Sequence, residues 1–285
     1  MKNDHAVRIA ILDLYDNWPN QGMRCIQEII TGLDKKVNGQ SVTYDVYETR
    51  SKAEIPDLEY DIYISSGGPG SPFDGEGKEW EKKYFDWWAA VWKNNHTRPA
   101  EERKYVFSIC HSFQMMCRFF ELGLVTEIGA KSFGIMPVYQ TSAGEIDPLY
   151  EGLSNPFYAA DFRDWQVVQP NEQHLAEVGA EILSWEKNKP DSPHKRSIMA
   201  IRVSPEIAGV QYHPEADPIS MQFHAEKPER KQDIIERFGI EKYNELMQSL
   251  DQPESLLRTR ATIMPNFLRD AISNLRPEAA ENGRH

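Results

Sequence analysis

The chain has 285 residues, 40% of them hydrophobic and 11% aromatic with seven Trp, enough for a sizeable core and unlike a disordered or collagen-like polymer. Its 32 Lys+Arg stand against 44 Asp+Glu, a formal net charge of −12. A surface this acidic repels phosphate backbones, and no Lys/Arg-rich run makes a local exception, so nucleic acid and anionic membrane are poor partners. No apolar run approaches the ~20 residues of a membrane-spanning helix. Met1 to His5 lacks the apolar core of a signal peptide. Cys25, Cys110 and Cys117 make neither a disulfide framework nor a zinc knuckle. A cytoplasmic location is expected.

Val7 to Leu12 is nearly all apolar and β-branched, the pattern of a buried strand. Asn20 to Leu33 predicts a helix from Met23, Ile26, Ile29/Ile30 and Leu33. Val42 to Tyr47 and Asp61 to Ser65 predict two more strands, the latter ending in Ser66-Gly67-Gly68-Pro69-Gly70-Ser71-Pro72. A Trp-rich helix over Glu79 to Asn94 and a strand over Lys104 to Ile109 follow. Strands separated by helices imply parallel crossovers, hence a doubly wound α/β sheet with helices on both faces. Between Thr126 and Tyr212 shorter segments (Phe133 to Tyr139, Trp165 to Val168, Ala180 to Trp185, Ile198 to Val203, Ala208 to Tyr212) suggest an accessory, mostly antiparallel β part. After Pro214 the pattern turns helical over Glu229 to Leu250 and Pro253 to Leu275, with Pro265 expected to kink or split the last helix. Arg276 to His285 is polar and expected to fray.

Three segments carry candidate chemistry. In Phe107-Ser108-Ile109-Cys110-His111-Ser112-Phe113-Gln114 a buried strand runs into a Cys and an amphipathic helix follows at once. That is the layout of a nucleophile elbow, flanked by small Ser108 and Ser112, and a helix N-terminus favours the thiolate. A buried, inert Cys110 is the alternative. In Gly209-Val210-Gln211-Tyr212-His213-Pro214-Glu215, residues two apart on an extended chain face one side, so a carboxylate can orient an imidazole. An ordinary strand end is the plain alternative, and a metal set with Asp217 and His224 matches no closed ligand pattern. The Gly67-Gly68-Pro69-Gly70 loop leaves a strand at the edge where open α/β sheets bind ligands, and its backbone amides suit an oxyanion. It lacks the Asp of a pyrophosphatase-type ATP loop and follows the third strand rather than the first. Cys25, Cys117 and the Trp87, Trp88, Trp92 cluster are expected in the core, and His96, His174 and His194 in solvent.

In this order and spacing, over roughly residues 7 to 217, the segments resemble a class I glutamine amidotransferase domain. The His-Pro-Glu after Gly-Val-Gln-Tyr is the most specific part. The resemblance implies a flavodoxin-like fold and makes Cys110 the nucleophile, His213 the base and Glu215 its orienter. Gly68 and His111 would supply oxyanion N–H groups, while Gly70 and Gln114 would contact substrate glutamine; it implies no metal and no cofactor. It also implies ammonia delivered to a separate synthetase or transferase subunit, since no phosphate loop or synthetase motif is present, and the branch it resembles is GMP-synthase-like. A stand-alone hydrolase of γ-glutamyl compounds, a catalytically silent regulatory relative and a homodimer remain open. Residues 1–217 would form the domain and 218–285 a helical extension packed on it or at an interface. Both elbow glycines of the family are serine here, Ser108 and Ser112, adding side chains where the turn is tightest. Weaker glutamine binding, another substrate or dependence on a partner would each follow from that.

Overall fold

The computed structural model describes residues 6–33, 41–188 and 196–276, so the polar tail after Arg276 and His194 lie outside the described residues. Its strands are β1 (Val7–Leu12), β2 (Val42–Tyr47), β3 (Ile62–Ser65), β4 (Tyr105–Ile109), β5 (Gly123–Gln140), β6 (Phe157–Pro170), β7 (Glu181–Glu186), β8 (Ile198–Ser204) and β9 (Ile207–Val210). Its helices are α1 (Gly22–Gly32), α2 (Thr49–Lys52), α3 (Glu79–Thr97), α4 (His111–Phe119), α5 (Ser142–Ile146), α6 (Glu172–Val178), α7 (Pro218–Ala225), α8 (Pro228–Phe238), α9 (Ile240–Leu250) and α10 (Glu254–Leu275).

All nine strands join one sheet in the order β2-β1-β3-β4-β9-β8-β7-β5-β6. The ladders from β2 to β9 are parallel, and those from β9 to β6 antiparallel. The accessory β part expected from the sequence is therefore the outer half of the same sheet. Its outermost pair is longer than the sequence suggests. Phe133 to Tyr139 and Trp165 to Val168 are pieces of β5 and β6, whose register shifts between Glu127 and Ser132. The parallel half has the doubly wound order, and its switch point lies between β1 and β3.

Alternation along the parallel strands sends side chains into two apolar layers. Val7, Ile9 and Ile11 join Ile26 and Ile30 of α1 and Ile263, Phe267 and Ile272 of α10. Ala10 and Leu12 join Trp80, Tyr84, Trp87 and Trp88 of α3 and Phe113 and Met116 of α4. Cys25 and Cys117 are buried, and Trp87 and Trp88 lie within the second layer. A third cluster sets Tyr243 and Leu246 of α9 over Ala160, Phe133 and Phe162.

Two helical expectations change. The pattern over Glu229 to Leu250 is two helices, because Gly239 adopts φ 90°, which a helix cannot continue through. In α10 the helix runs unbroken through Pro265. That proline is itself buried between Ile263, Met264 and Phe267, so packing holds the helix where its missing N–H would interrupt it.

Phe267 stacks 5.0 Å from Phe107 of β4, the strand that leads to Cys110. Phe267→Ala is expected to lower the unfolding free energy by about 3–5 kcal/mol in urea titration. A loss below about 1 kcal/mol would mean that α10 rests on the sheet without sharing its core.

Candidate active site

β4 lies between β3 and β9, with Ser108 opposite Gly209 and Ile109 opposite Val210. One residue further on, Cys110 donates its amide to Val210 O and turns the chain into α4 at φ 51°. Positive φ in a non-glycine residue is a strained conformation that neighbours must enforce, and here it accompanies a thiol that lines a cavity beyond the strand. The strain falls on the cysteine and spares both serines. The Ser112 hydroxyl accepts Ile109 N–H at 2.8 Å and donates to Ser65 O at 2.7 Å, tying the elbow to the end of β3. Ser108 Oγ is buried with no partner in the structure.

The Gly-Gly-Pro-Gly loop lies against this elbow. A Cβ on Gly68 would fall 2.4 Å from Leu14 O and 3.4 Å from the His111 ring, so only glycine permits the approach. Arg50 of α2 holds the loop, donating to Pro69 O at 2.6 Å and pairing with Asp74 at 3.2 Å. The first residue of α4, His111, has an amide with no carbonyl to meet inside the helix. Its ring is buried, with no partner for either nitrogen among the described residues. Burial, with the charges of Arg50 and Arg118, pushes its pKa down to about 3 and keeps the ring neutral.

His213 and Glu215 do not sit on a strand. β9 ends at Val210, and Pro214 turns the chain, leaving a single bridge in which His213 N–H donates to Ala160 O at 2.8 Å. The turn still brings the pair together: His213 Nδ1 lies 2.8 Å from Glu215 Oε1. The other oxygen, Glu215 Oε2, is buried without a partner among the described residues. Burial works against the imidazolium, but Glu215 and the neighbouring thiol of Cys110 outweigh it and hold His213 well above its ordinary range. Arg260 of α10 donates to Glu215 O and to Glu28, anchoring the turn from behind.

A cavity of about 200 Å³ opens over Cys110, lined by Gly68, Gly70 and Gln114 on one side. Of the candidate residues, Gly68, Gly70, Cys110 and Gln114 line it, whereas His213 and Glu215 do not and the His111 ring lies against Gly68 of the loop. Cys110 itself is 5% exposed. Gln114 donates to Trp165 O at 3.1 Å and to Gln211 Oε1 at 3.2 Å. Gln211 in turn reaches Cys110 Sγ at 3.8 Å. Among the described residues no group of three or more His, Cys, Asp or Glu is arranged to hold a metal. Asp217 caps α7 through Ile219 N–H and is gripped by Ser220 and Arg24. Chemically, the arrangement offers a thiol and a glycine-rich loop on one small cavity, with an imidazole oriented by a carboxylate near the thiol.

Several contributors escaped the sequence reading. Tyr15, just past β1, lodges its hydroxyl where a Cβ on Gly22 would come within 2.1 Å and one on Gly67 within 3.2 Å. Burial and then the charges of Glu215 and Cys110 push its pKa up. Arg163 is buried at the cavity floor, its Nε bonded to Asp161 at 2.8 Å. Nothing local marks Tyr15 or Arg50, whereas Arg163 lies in Asp161 to Trp165, a segment the resemblance places near the glutamine pocket without a role. Gln211 lies inside a segment already singled out, and its alternation with His213 was a signal.

Ser112→Ala leaves the Ile109 amide and the Ser65 carbonyl unpaired, and a loss of about 1–3 kcal/mol of stability is expected by chemical denaturation; no loss would leave the hydroxyl without a structural role. A second expectation concerns pH. A raised His213 pKa stabilises the fold fully below the unfolded value of about 6.5, and this contribution is lost as pH rises through the folded pKa. Glu215→Gln removes the largest raising charge. Histidine-selective NMR should then show His213 titrating lower, and the variant should lose more stability near about pH 6 than near about pH 9. A titration that stays where it was would mean that the carboxylate does not set the imidazole.

Among solved structures, a glutamine amidotransferase from Thermotoga maritima superposes with a TM-score of 0.63 at 16% identity, covering 95% of this chain and 98% of that one. A glutamine amidotransferase from Methylobacillus flagellatus gives 0.59 at 14% identity over 98% and 99% of the two chains. The glutaminase domain of Trypanosoma brucei CTPS with bound acivicin gives 0.51 at 14% identity over 87% and 94%. At such identities these likenesses speak to the fold alone. A search of curated proteins finds no match. The family model for class-I glutamine amidotransferases matches residues 25–221, well over half of the sequence, and the chain belongs to that family.

Proposed function

We propose that the protein is a glutaminase of the amidotransferase type that releases ammonia from the side-chain amide of glutamine. The observation that carries this reading is the strained Cys110 elbow together with the His213–Glu215 pair, whose imidazole interacts with the thiol. In the proposed reaction the Cys110 thiolate attacks the γ-carbonyl carbon. The amides of Gly68 and His111 hold the developing oxyanion. His213, its Nδ1 facing Glu215, gives a proton to the leaving nitrogen as the C–N bond breaks, so that ammonia departs and a γ-glutamyl thioester remains. His213 then takes a proton from water, whose oxygen attacks the thioester, and glutamate leaves as the sulfur is freed. Gly70 and Gln114 would contact the substrate, the latter with its amide nitrogen already committed to Trp165 and Gln211.

Cavity size favours glutamine over bulkier γ-glutamyl compounds. About 200 Å³ is below the roughly 300 Å³ at which drug-sized ligand sites begin, and suits a single amino acid. Residues 1–217 act in this reading as the amidotransferase domain and 218–285 as an extension folded onto it. The ammonia goes to a synthetase or transferase on a separate polypeptide, for which a GMP-synthase-like partner is one option.

A diazo-ketone analogue of glutamine tests the reading. One label per chain on Cys110, competed by glutamine, is expected, together with a loss of glutamine hydrolysis of about 10³-fold or more in Cys110→Ala. If Cys110 takes up a small alkylating agent but never the diazo-ketone, the free-standing glutaminase is wrong. A partner-activated subunit, another γ-glutamyl substrate or a silent relative then replaces it.

A further inference from the structure

The family match ends at residue 221, yet the cavity over Cys110 does not end with it. Arg237 and Phe238, the last residues of α8, form part of its lining. Their placement is built in. Ile234 and Ile235 of α8 pack with Tyr243 and Leu246 of α9 against Phe133 and Phe162 of the outer strands. Phe238 stacks on Phe133 with ring centres 4.1 Å apart and planes at 18°. Gly239 then turns the chain sharply, so that α8 stops at the rim.

The charged groups around the cavity are unevenly committed. Lys131 pairs with Asp164 at 2.9 Å. Arg163 is saturated by Asp161, Trp165 O and Glu186. Arg237 uses Nε for Asp233 at 2.7 Å, and its two terminal nitrogens have no other partner among the described residues. They are the uncommitted cationic donors of the lining. A glutamine held with its γ-carbonyl at Cys110 carries its α-carboxylate and α-ammonium at the opposite end, away from the elbow. The planar guanidinium fork matches a carboxylate.

We propose that Arg237 is a specificity-determining residue that binds the α-carboxylate of the substrate, so that the helical extension completes the amino-acid pocket. The assignment rests on the glutaminase reading above, and the test separates the two. Arg237 is 64% exposed on its side chain, so replacing it does not threaten the fold. Arg237→Gln is expected to raise KM for glutamine about tenfold, the weight of one lost charge-assisted contact, and to change KM by no more than about twofold for glutamine capped as its α-amide. Alkylation of Cys110 gives a readout that needs no turnover. The ratio of iodoacetate to iodoacetamide rates, followed by peptide mass, should fall at least about threefold in the variant, because only the first reagent carries a carboxylate. An unchanged alkylation ratio, or an equal rise in KM for both amides, overturns the role of Arg237. If the unmodified protein hydrolyses neither amide, the glutaminase reading fails, and the alkylation ratio alone still decides whether Arg237 attracts a carboxylate to the thiol.

Discussion

A non-glycine residue held at φ 51° costs roughly 1–3 kcal/mol, and at Cys110 that strain is the constraint around which the site is organised. Four hydrogen bonds hold the turn. Cys110 N–H is taken by Val210 O, and Gln114 N–H by Cys110 O. The Ser112 hydroxyl bridges Ile109 N–H and Ser65 O. These partners come from three neighbouring strand ends, β3, β4 and β9, so the elbow exists only when the parallel half of the sheet is registered. β3 and β4 are parallel neighbours whose C-terminal ends lie side by side, which is why the loop after β3 meets the turn after β4.

Electrostatics around the sulfur is divided between a charged pair and a silent ring. His111, directly after the nucleophile, is driven to its neutral form by burial beside two guanidinium groups. His213 is driven the other way by Glu215 and the thiol. Two imidazoles close to one cysteine are thereby kept from competing for the same proton, because only one has a carboxylate to face. The chain as a whole carries −12. Against that background the cavity gathers Lys131, Arg163 and Arg237 with Asp164 as its carboxylate, a local reversal of sign that composition does not disclose.

The parallel strands were legible because burial on both faces leaves near-continuous apolar runs, as in Val7 to Leu12 and Tyr105 to Ile109. The elbow and the glycine loop were legible for a similar reason: their geometry is imposed by adjacent residues. The outer half of the sheet was read in fragments, since Gly and Pro punctuate an 18-residue β5 that its partners β6 and β7 keep extended. His213 and Glu215 were paired correctly on a mistaken premise, an extended strand, when Pro214 makes a turn there. Tyr15, Arg50 and Arg237 were not legible at all. Each reaches the site through contacts with residues distant in sequence, and an isolated Arg or Tyr carries no pattern that distinguishes it from a solvated one.

The position of the C-terminal helices follows from the same constraint. A turn such as His213 to Glu215, with one bridge to β6 and no ladder beyond it, has little of its own to hold a carboxylate 2.8 Å from an imidazole. α10 supplies the missing support: Arg260 takes Glu215 O, and Thr259 takes Tyr158 O at 2.6 Å, fastening the helix to β6 near the bridge. The apolar face of α10 lies in the same layer as β1 and β4, so the brace is as fixed as the sheet. α8 reaches the opposite side of the cavity through Phe133. The extension therefore touches the site at its back and at its mouth, and its removal would expose the core face of the sheet along with both. Helices that bury the sheet and hold the turn cannot be a separable appendage, even though their sequence, read alone, shows only amphipathic spacing.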